Sequence, residues 1–295
     1  MEHNEHDFQE WKKMITSRIR GIYQPPWAVV FSGGGLRAAA HIGVIKAFEE
    51  NDIFPDMIGG ASTGGLIAAA YALGMKSEEI LHFFAVQGVR LFGAADERIN
   101  TEKSCAEERA NALIQNGQTL QSILDEFFDQ ADFSQTKVPC HIVATDLTHG
   151  AEIVFSQGTI VNACRAAMSM PGLFLPYIHE QSIVVDGFVI NNLPVSVLRE
   201  KGAEIVIGVN AQAGKKARAK SPHISDVLNA TVEILSEFCM QKGLEESNLV
   251  IEPKMDAYAM FSGDESDIKT MYEIGYEAAM EKMEEIVAIF VRNSS

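Results

Sequence analysis

WAVVFSGGGLRAAAHIGVIKAFEE, residues 27–50, opens with six residues of strand length and apolar character, turns through three glycines, and continues from Leu36 with helical spacing and good helix formers. A strand, a tight turn and a helix in direct succession make one unit of an α/β fold. The same order returns at once: residues 55–60 (PDMIGG) read as a second short strand, and Ser62 opens an alanine-rich helix that runs to Leu73. Further strands are expected at 140–145, 182–185, 205–209 and 249–251, with helices between several of them. Such alternation predicts a mostly parallel sheet covered by helices on both faces.

Residues 76–135 break the alternation with a charged, largely helical stretch that holds Phe83, Phe84, Leu91 and Phe92 at helix-like spacing. The plainer reading is a helical cap packed on the sheet; the other is a lid that also meets lipid. Residues 1–26 read as an N-terminal helical extension, and 27–295 as the α/β domain carrying that cap. Residues 214–222 (GKKARAKSP) gather Lys215, Lys216, Arg218 and Lys220, either as a solvated linker or as a patch for anionic headgroups. Residues 270–291 place Ile274, Met283, Ile286, Val287 and Phe290 on one face of an amphipathic helix that turns to the core.

With 47% hydrophobic and 22% charged residues over 295 positions, the composition excludes disorder and collagen-like repetition. The balance of 24 Lys+Arg against 40 Asp+Glu, net −16, repels phosphate backbones, so no nucleic-acid partner is expected and a neutral or locally apolar ligand is favoured. The charged N-terminal twenty residues hold no signal-peptide core, and the longest apolar run, 66–75, is far shorter than the roughly 20 residues of a spanning helix. A cytoplasmic chain follows as the expectation. Cys105, Cys140, Cys164 and Cys239 show no CxxC or Cys/His spacing, so they read as reduced thiols and no metal is expected.

The most specific local feature is Gly60-Ala61-Ser62-Thr63-Gly64, a G-x-S-x-G run where a strand hands over to a helix. A nucleophile at the apex of so sharp a turn brings the residues two before and two after together, and glycine tolerates that crowding. Gly60 and Gly64 would then form a nucleophile elbow that projects Ser62 at a helix N-terminus, where the dipole favours developing negative charge. The bland reading is a serine N-cap with glycines kept for packing.

Ser32-Gly33-Gly34-Gly35-Leu36-Arg37 is the second candidate, because successive N–H groups in a glycine turn make a concave donor site for an oxyanion or a phosphate. Gly33-x-Gly35-x-x-Ala38 formally meets the dinucleotide fingerprint. That fingerprint also wants an acidic residue at the end of the second strand, which here ends in Gly59-Gly60 and runs into Ser62. No cofactor is therefore expected. A serine that attacks needs a proton acceptor. Asp186, after the strand-like SIVV and before Gly187, is placed to present its carboxylate at the carboxyl edge of a sheet, while His41, His149 and His179 compete without a local signature.

In order along the chain, GGGLRAAAHIGVIKAFEE, GGASTGG, RAAMSMPGLFLP and VVDGFVINNLP resemble the patatin-like phospholipase family over residues 27–210, with a weaker echo in NLVIEP and the final helix. The resemblance implies a three-layer α/β/α sandwich and hydrolysis of acyl esters by a Ser/Asp dyad, with no histidine and no metal. On this pattern Ser62 is the nucleophile, Asp186 the base, and Gly33, Gly34 and Gly35 with Arg37 beside them the oxyanion hole. It implies a lipid ester as substrate and leaves the oligomeric state open; peripheral contact with a membrane surface is what the lid and headgroup-patch readings would add. Asp146, in ATDL, has a family counterpart and reads as structural.

Two positions depart from the family pattern. Ala38 stands where glycine is usual, a small change within a helix. Phe188 stands where Asp-Gly-Gly or Asp-Gly-Ala is usual, and its bulk is expected to crowd the loop carrying Asp186 or to narrow the acyl channel. Phe188 keeps a second reading in view, a catalytically weak or inactive patatin-fold module that binds lipid or a protein.

Overall fold

The computed structural model describes residues 25–99, 106–214, 224–261 and 263–292. Most of the expected N-terminal extension, Cys105, and the basic run of Lys215, Lys216, Arg218 and Lys220 lie outside the described residues.

β1 (Trp27–Phe31) sits inside an eight-stranded sheet and pairs in parallel with β2 (Met57–Ala61) and with β7 (Ile205–Val209). β3 (Cys140–Asp146) continues the parallel set beyond β2, as β8 (Leu249–Ile251) does beyond β7. Beyond β3 the direction reverses. β4 (Ala151–Phe155) and β6 (Ser182–Asp186) both pair antiparallel to β3, and β5 (Tyr177–His179) edges the sheet against β6. The mostly parallel sheet is as expected; the two additional strands, β4 and β5, are not.

Every residue of β1 is buried, which is why it reads as a continuous apolar run without alternation. Trp27, Val29 and Phe31 point into the larger core. That core is shared with α1 (Ala39–Glu50), α2 (Ser62–Ala72), α3 (Ser77–Ile99), α4 (Ala106–Phe128), α5 (Ile160–Ala167), and the C-terminal pair. Ala28 and Val30 point the other way, toward α6 (Val195–Glu200) and Met240 of α7 (Ile224–Glu246). Helices cover both faces, giving a three-layer α/β/α arrangement.

Phe84, Leu91 and Phe92 of α3 are buried, and Phe83 stacks on Phe127 of α4 with ring centroids 3.7 Å apart. The single C-terminal helix expected at 270–291 is two: α8 (Glu265–Glu281) and α9 (Met283–Arg292). α8 begins earlier because Asp264 caps it, its Oδ1 accepting the amides of Ser266 and Asp267 while Asp267 Oδ2 accepts the amide of Asp264. Gly43 of α1 and Gly275 of α8 let those helices meet backbone to backbone, since a β-carbon at either would overlap a carbonyl oxygen of the other.

Candidate active site

β2 ends at Ala61, and Ser62 begins α2 with φ +52°, a left-handed conformation that costs a non-glycine residue roughly 1–3 kcal/mol. The turn is held by close backbone contact: a β-carbon on Gly64 would stand 2.6 Å from the carbonyl oxygen of Phe31, so the start of α2 is pressed against the end of β1. Gly60 occupies the other side of the same turn. Ser62 is left partly exposed at the carboxyl ends of β1 and β2.

Asp186 reaches this point by an indirect route. β3 runs past the end of β2, with Val143 opposite Ala61 and three residues still to come. β6 pairs antiparallel to that overhang and returns, leaving Asp186 opposite Ala144, level with the serine turn. The carboxylate thus stands at the carboxyl edge of the parallel strands although its own strand runs the other way. Ser62 Oγ donates to Asp186 Oδ2 at 2.7 Å, and the Phe188 N–H donates to Oδ1 at 3.1 Å. The main chain is fixed as well: the Asp186 N–H donates to the carbonyl of Ser169, and Thr145 Oγ1 donates to the Asp186 carbonyl. Asp186 is 1% exposed, and burial pushes its pKa up to about 7 against the opposing pull of the Phe188 amide and the Ser62 hydroxyl.

Phe188 does not crowd that loop. The tight position is Gly187, where a β-carbon would overlap the carbonyl oxygen of Val143. The Phe188 ring is 6% exposed and forms part of the wall beside Ser62.

The glycine turn divides its amides. Gly33 N–H is already taken, by Asn192 Oδ1 at 3.1 Å and the Asn192 carbonyl at 3.3 Å. No acceptor among the described residues takes the N–H of Gly34 or Gly35, and both line the crevice that holds Ser62. Arg37 is not part of this donor set. Its amide donates to the Gly34 carbonyl, its Nε to the Tyr258 carbonyl at 2.8 Å, and its guanidinium lies 3.6 Å from Glu233 of α7, all with the side chain 5% exposed. Of the turn residues expected to form the oxyanion hole, Gly34 and Gly35 keep amides without an acceptor among the described residues, while Gly33 and Arg37 have theirs engaged in holding the turn in place.

The crevice is open to solvent and is walled by Phe92, Met170, Phe188, Val232 and Phe261 around the polar floor. Two residues that the sequence reading passed over line it: Asn192, visible in the VINNLP motif but given no role, and Gln212, which follows β7 with no motif at all. Gln212 Nε2 donates to the Gly33 carbonyl at 2.9 Å. Asn192 Nδ2 and Gln212 Oε1 are buried without a hydrogen-bond partner among the described residues.

The histidines lie elsewhere. His41 is fully buried, donates from Nε2 to the Ser32 carbonyl at 2.8 Å and stacks on Phe31, with burial lowering its pKa to about 4. His149 Nδ1 pairs with Asp146 at 2.7 Å, and His179 lies on edge strand β5 beside Phe155. Asp146 accepts from His149, Ser182 and the Thr148 amide, which holds its pKa well below the usual carboxylate range and ties the β3–β4 turn to the start of β6. Among the described residues no group of three or more His, Cys, Asp or Glu side chains is disposed to hold a metal ion.

A family model described as patatin-like phospholipase matches residues 29–199. An uncharacterised NTE family protein of Mycobacterium tuberculosis is 30% identical over 195 residues, which is 66% of this chain and 30% of that protein. The patatin-like phospholipase domain-containing protein 6 of Mus musculus is 29% identical over 185 residues, 62% of this chain and 13% of that one. The chain therefore spans well under two thirds of the length of these curated relatives. Among solved structures, VipD from Legionella pneumophila superposes with a TM-score of 0.53 at 12% identity, covering 90% of this chain and 68% of that one, a likeness of fold.

Proposed function

The chain belongs to the patatin-like phospholipase family, and from that membership we propose that it is a serine acyl hydrolase acting on a carboxylic ester of a phospholipid, lysophospholipid or related lipid. In this reading Ser62 Oγ attacks the ester carbonyl carbon as its proton passes to Asp186 Oδ2. The oxygen that gains charge is held by the amides of Gly34 and Gly35. Asp186 then returns the proton to the departing alcohol, leaving the acyl group on Ser62. Water, giving its proton to Asp186, attacks that acyl ester, and Asp186 passes the proton to the departing Ser62 Oγ, which frees the acid and restores the serine and the carboxylate.

The observation that carries the reading is the 2.7 Å hydrogen bond from Ser62 to a buried carboxyl whose pKa is raised to about 7. An ordinary aspartate is too weak a base for an alcohol; one raised toward neutrality is matched to the task. The apolar walls of the crevice support an acyl chain as the bound group. Support for a lipid surface as the place of work comes from α7. Val232 and Ser236 line the crevice from this helix, while Ile234, Leu235 and Phe238 stand exposed on it, Phe238 at 78%.

Hydrolysis of a short-chain p-nitrophenyl ester by the wild type and by Ser62→Ala tests the proposal, together with fluorophosphonate labelling and mapping of the labelled residue. Turnover lost in the variant and a label on Ser62 are expected. Equal rates for the two, with no label on Ser62, would instead favour the inactive binding module.

A further inference from the structure

Resting on the hydrolase reading, we propose that Gln212 is a positioning residue for the oxyanion donors. Its Nε2 holds the carbonyl oxygen of Gly33 at 2.9 Å. That carbonyl and the N–H of Gly34 belong to one peptide unit, and in a planar trans peptide the two point in opposite directions. Gripping the carbonyl therefore sets the direction of the Gly34 N–H, one of the two crevice-lining amides that have no acceptor among the described residues.

Three successive glycines need such a grip, because their backbone has the widest freedom of any residue. On the other side of Gly33, Asn192 Oδ1 holds the N–H at 3.1 Å, so both peptides flanking this glycine are clamped by carboxamides. The orientation of each carboxamide is dictated by what it grips: a carbonyl must meet Nε2 and an amide must meet Oδ1. The clamp leaves Gln212 Oε1 and Asn192 Nδ2 buried and without a partner among the described residues, a rare condition in folded proteins. Packing alone gives no reason for two such atoms around one glycine.

Gln212 is itself fixed to the strand ends. Its amide donates to Asn210 Oδ1 at 2.9 Å, and the Ala211 amide donates to Ser32 Oγ at 3.1 Å.

The test compares Gln212→Met, which keeps length without a donor, and Gln212→Glu, which keeps shape but donates only when protonated. Melting temperatures check folding, and kcat and KM for a p-nitrophenyl ester are measured from about pH 5 to about pH 9. Both variants are expected to lose about 10- to 100-fold in kcat with KM little changed, as for a donor that acts in the transition state. Relative to wild type at the same pH, Gln212→Glu recovers as pH falls and Gln212→Met does not. Should one variant fail to fold, the other decides. A folded variant with wild-type kcat throughout, or a loss in Gln212→Glu that no acid pH relieves, overturns the proposal while leaving the hydrolase reading intact. Wild type that neither turns over ester nor labels at Ser62 overturns both.

Discussion

Gly60 and Gly64 face each other across the serine turn, so closely that a β-carbon on Gly60 would stand 2.6 Å from the carbonyl carbon of Gly64. The obstructing atoms are backbone and cannot swing aside. Gly60→Ala is therefore expected to cost about 1–3 kcal/mol of stability, as overpacking does, and to displace Ser62. A shift of about 1 Å at a reacting group can cost about 10²-fold in rate. Chemical denaturation and initial rates on the same preparation check both effects; a variant with wild-type turnover would show that the tightness of this turn is not needed for activity.

The raised pKa of Asp186 predicts the pH dependence of turnover. The base must be ionised to accept the proton, and it titrates at about 7. The rate is expected to rise with pH, reach half its maximum near neutrality and level off above. A profile of kcat/KM against pH measures this directly. A plateau reaching down to about pH 5 would mean that the base has the pKa of an ordinary carboxylate.

The same shift fixes the sign of a stability effect. In the folded chain Asp186 titrates at about 7, against 3.8 for an ordinary aspartate. Between those values the native state keeps a proton that the unfolded state releases, so the stability present below the unfolded value is lost as pH rises and stays lost above 7. Asp186→Asn cannot ionise, and its amide can still accept from Phe188 and donate to Ser62. The variant is expected to be inactive and, at alkaline pH, more stable than wild type by up to about 4 kcal/mol, a gain that vanishes in acid. Urea unfolding of both proteins at acid and alkaline pH decides it.

The turn carrying Ser62 and the existence of the parallel strands were legible in the sequence because each shows a local signal, the spacing of Gly60 and Gly64 in one case and short apolar runs alternating with helices in the other. The route of Asp186 was not. It depends on β3 overrunning β2 and on β6 returning antiparallel along the overhang, a register between distant strands that no local period encodes. β4 escaped notice although the Thr148-His149-Gly150 turn before it was visible, since its residues are mostly half-exposed and show no continuous apolar run. The early start of α8 had a readable signal in Asp264 and Asp267. Gln212 had none: its role comes entirely from β7 lying beside β1, which brings residue 212 to residue 33.

Arg37 follows a glycine turn and could be mistaken for a headgroup contact. Its guanidinium instead spans from the Tyr258 carbonyl to Glu233 on α7 and is almost fully buried. Arg37→Met is expected to lower stability by about 3–5 kcal/mol, the usual cost of breaking a buried pair. The ratio of turnover on anionic and zwitterionic phospholipid vesicles should be unchanged. A changed ratio with an unchanged melting temperature would assign Arg37 to the substrate instead.

The variant Phe188→Ala tells an active enzyme from one weakened at this position. If its ring were what weakened the site, Phe188→Ala would raise turnover on a short ester well above wild type. The geometry predicts otherwise, because Phe188 supports Asp186 through its backbone N–H, which truncation leaves in place. Its ring is buried in the core and forms part of the crevice wall. Removing it is expected to cost about 3–5 kcal/mol of stability through the space left behind. Short-ester kcat should stay close to wild type, while longer or branched acyl groups gain relative to short ones because the wall has receded. Rates across a series of acyl lengths, read beside the melting temperature, distinguish the outcomes: a rise confined to the long acyl groups marks Phe188 as part of the acyl wall, and a rise at every length marks it as an obstruction to the serine.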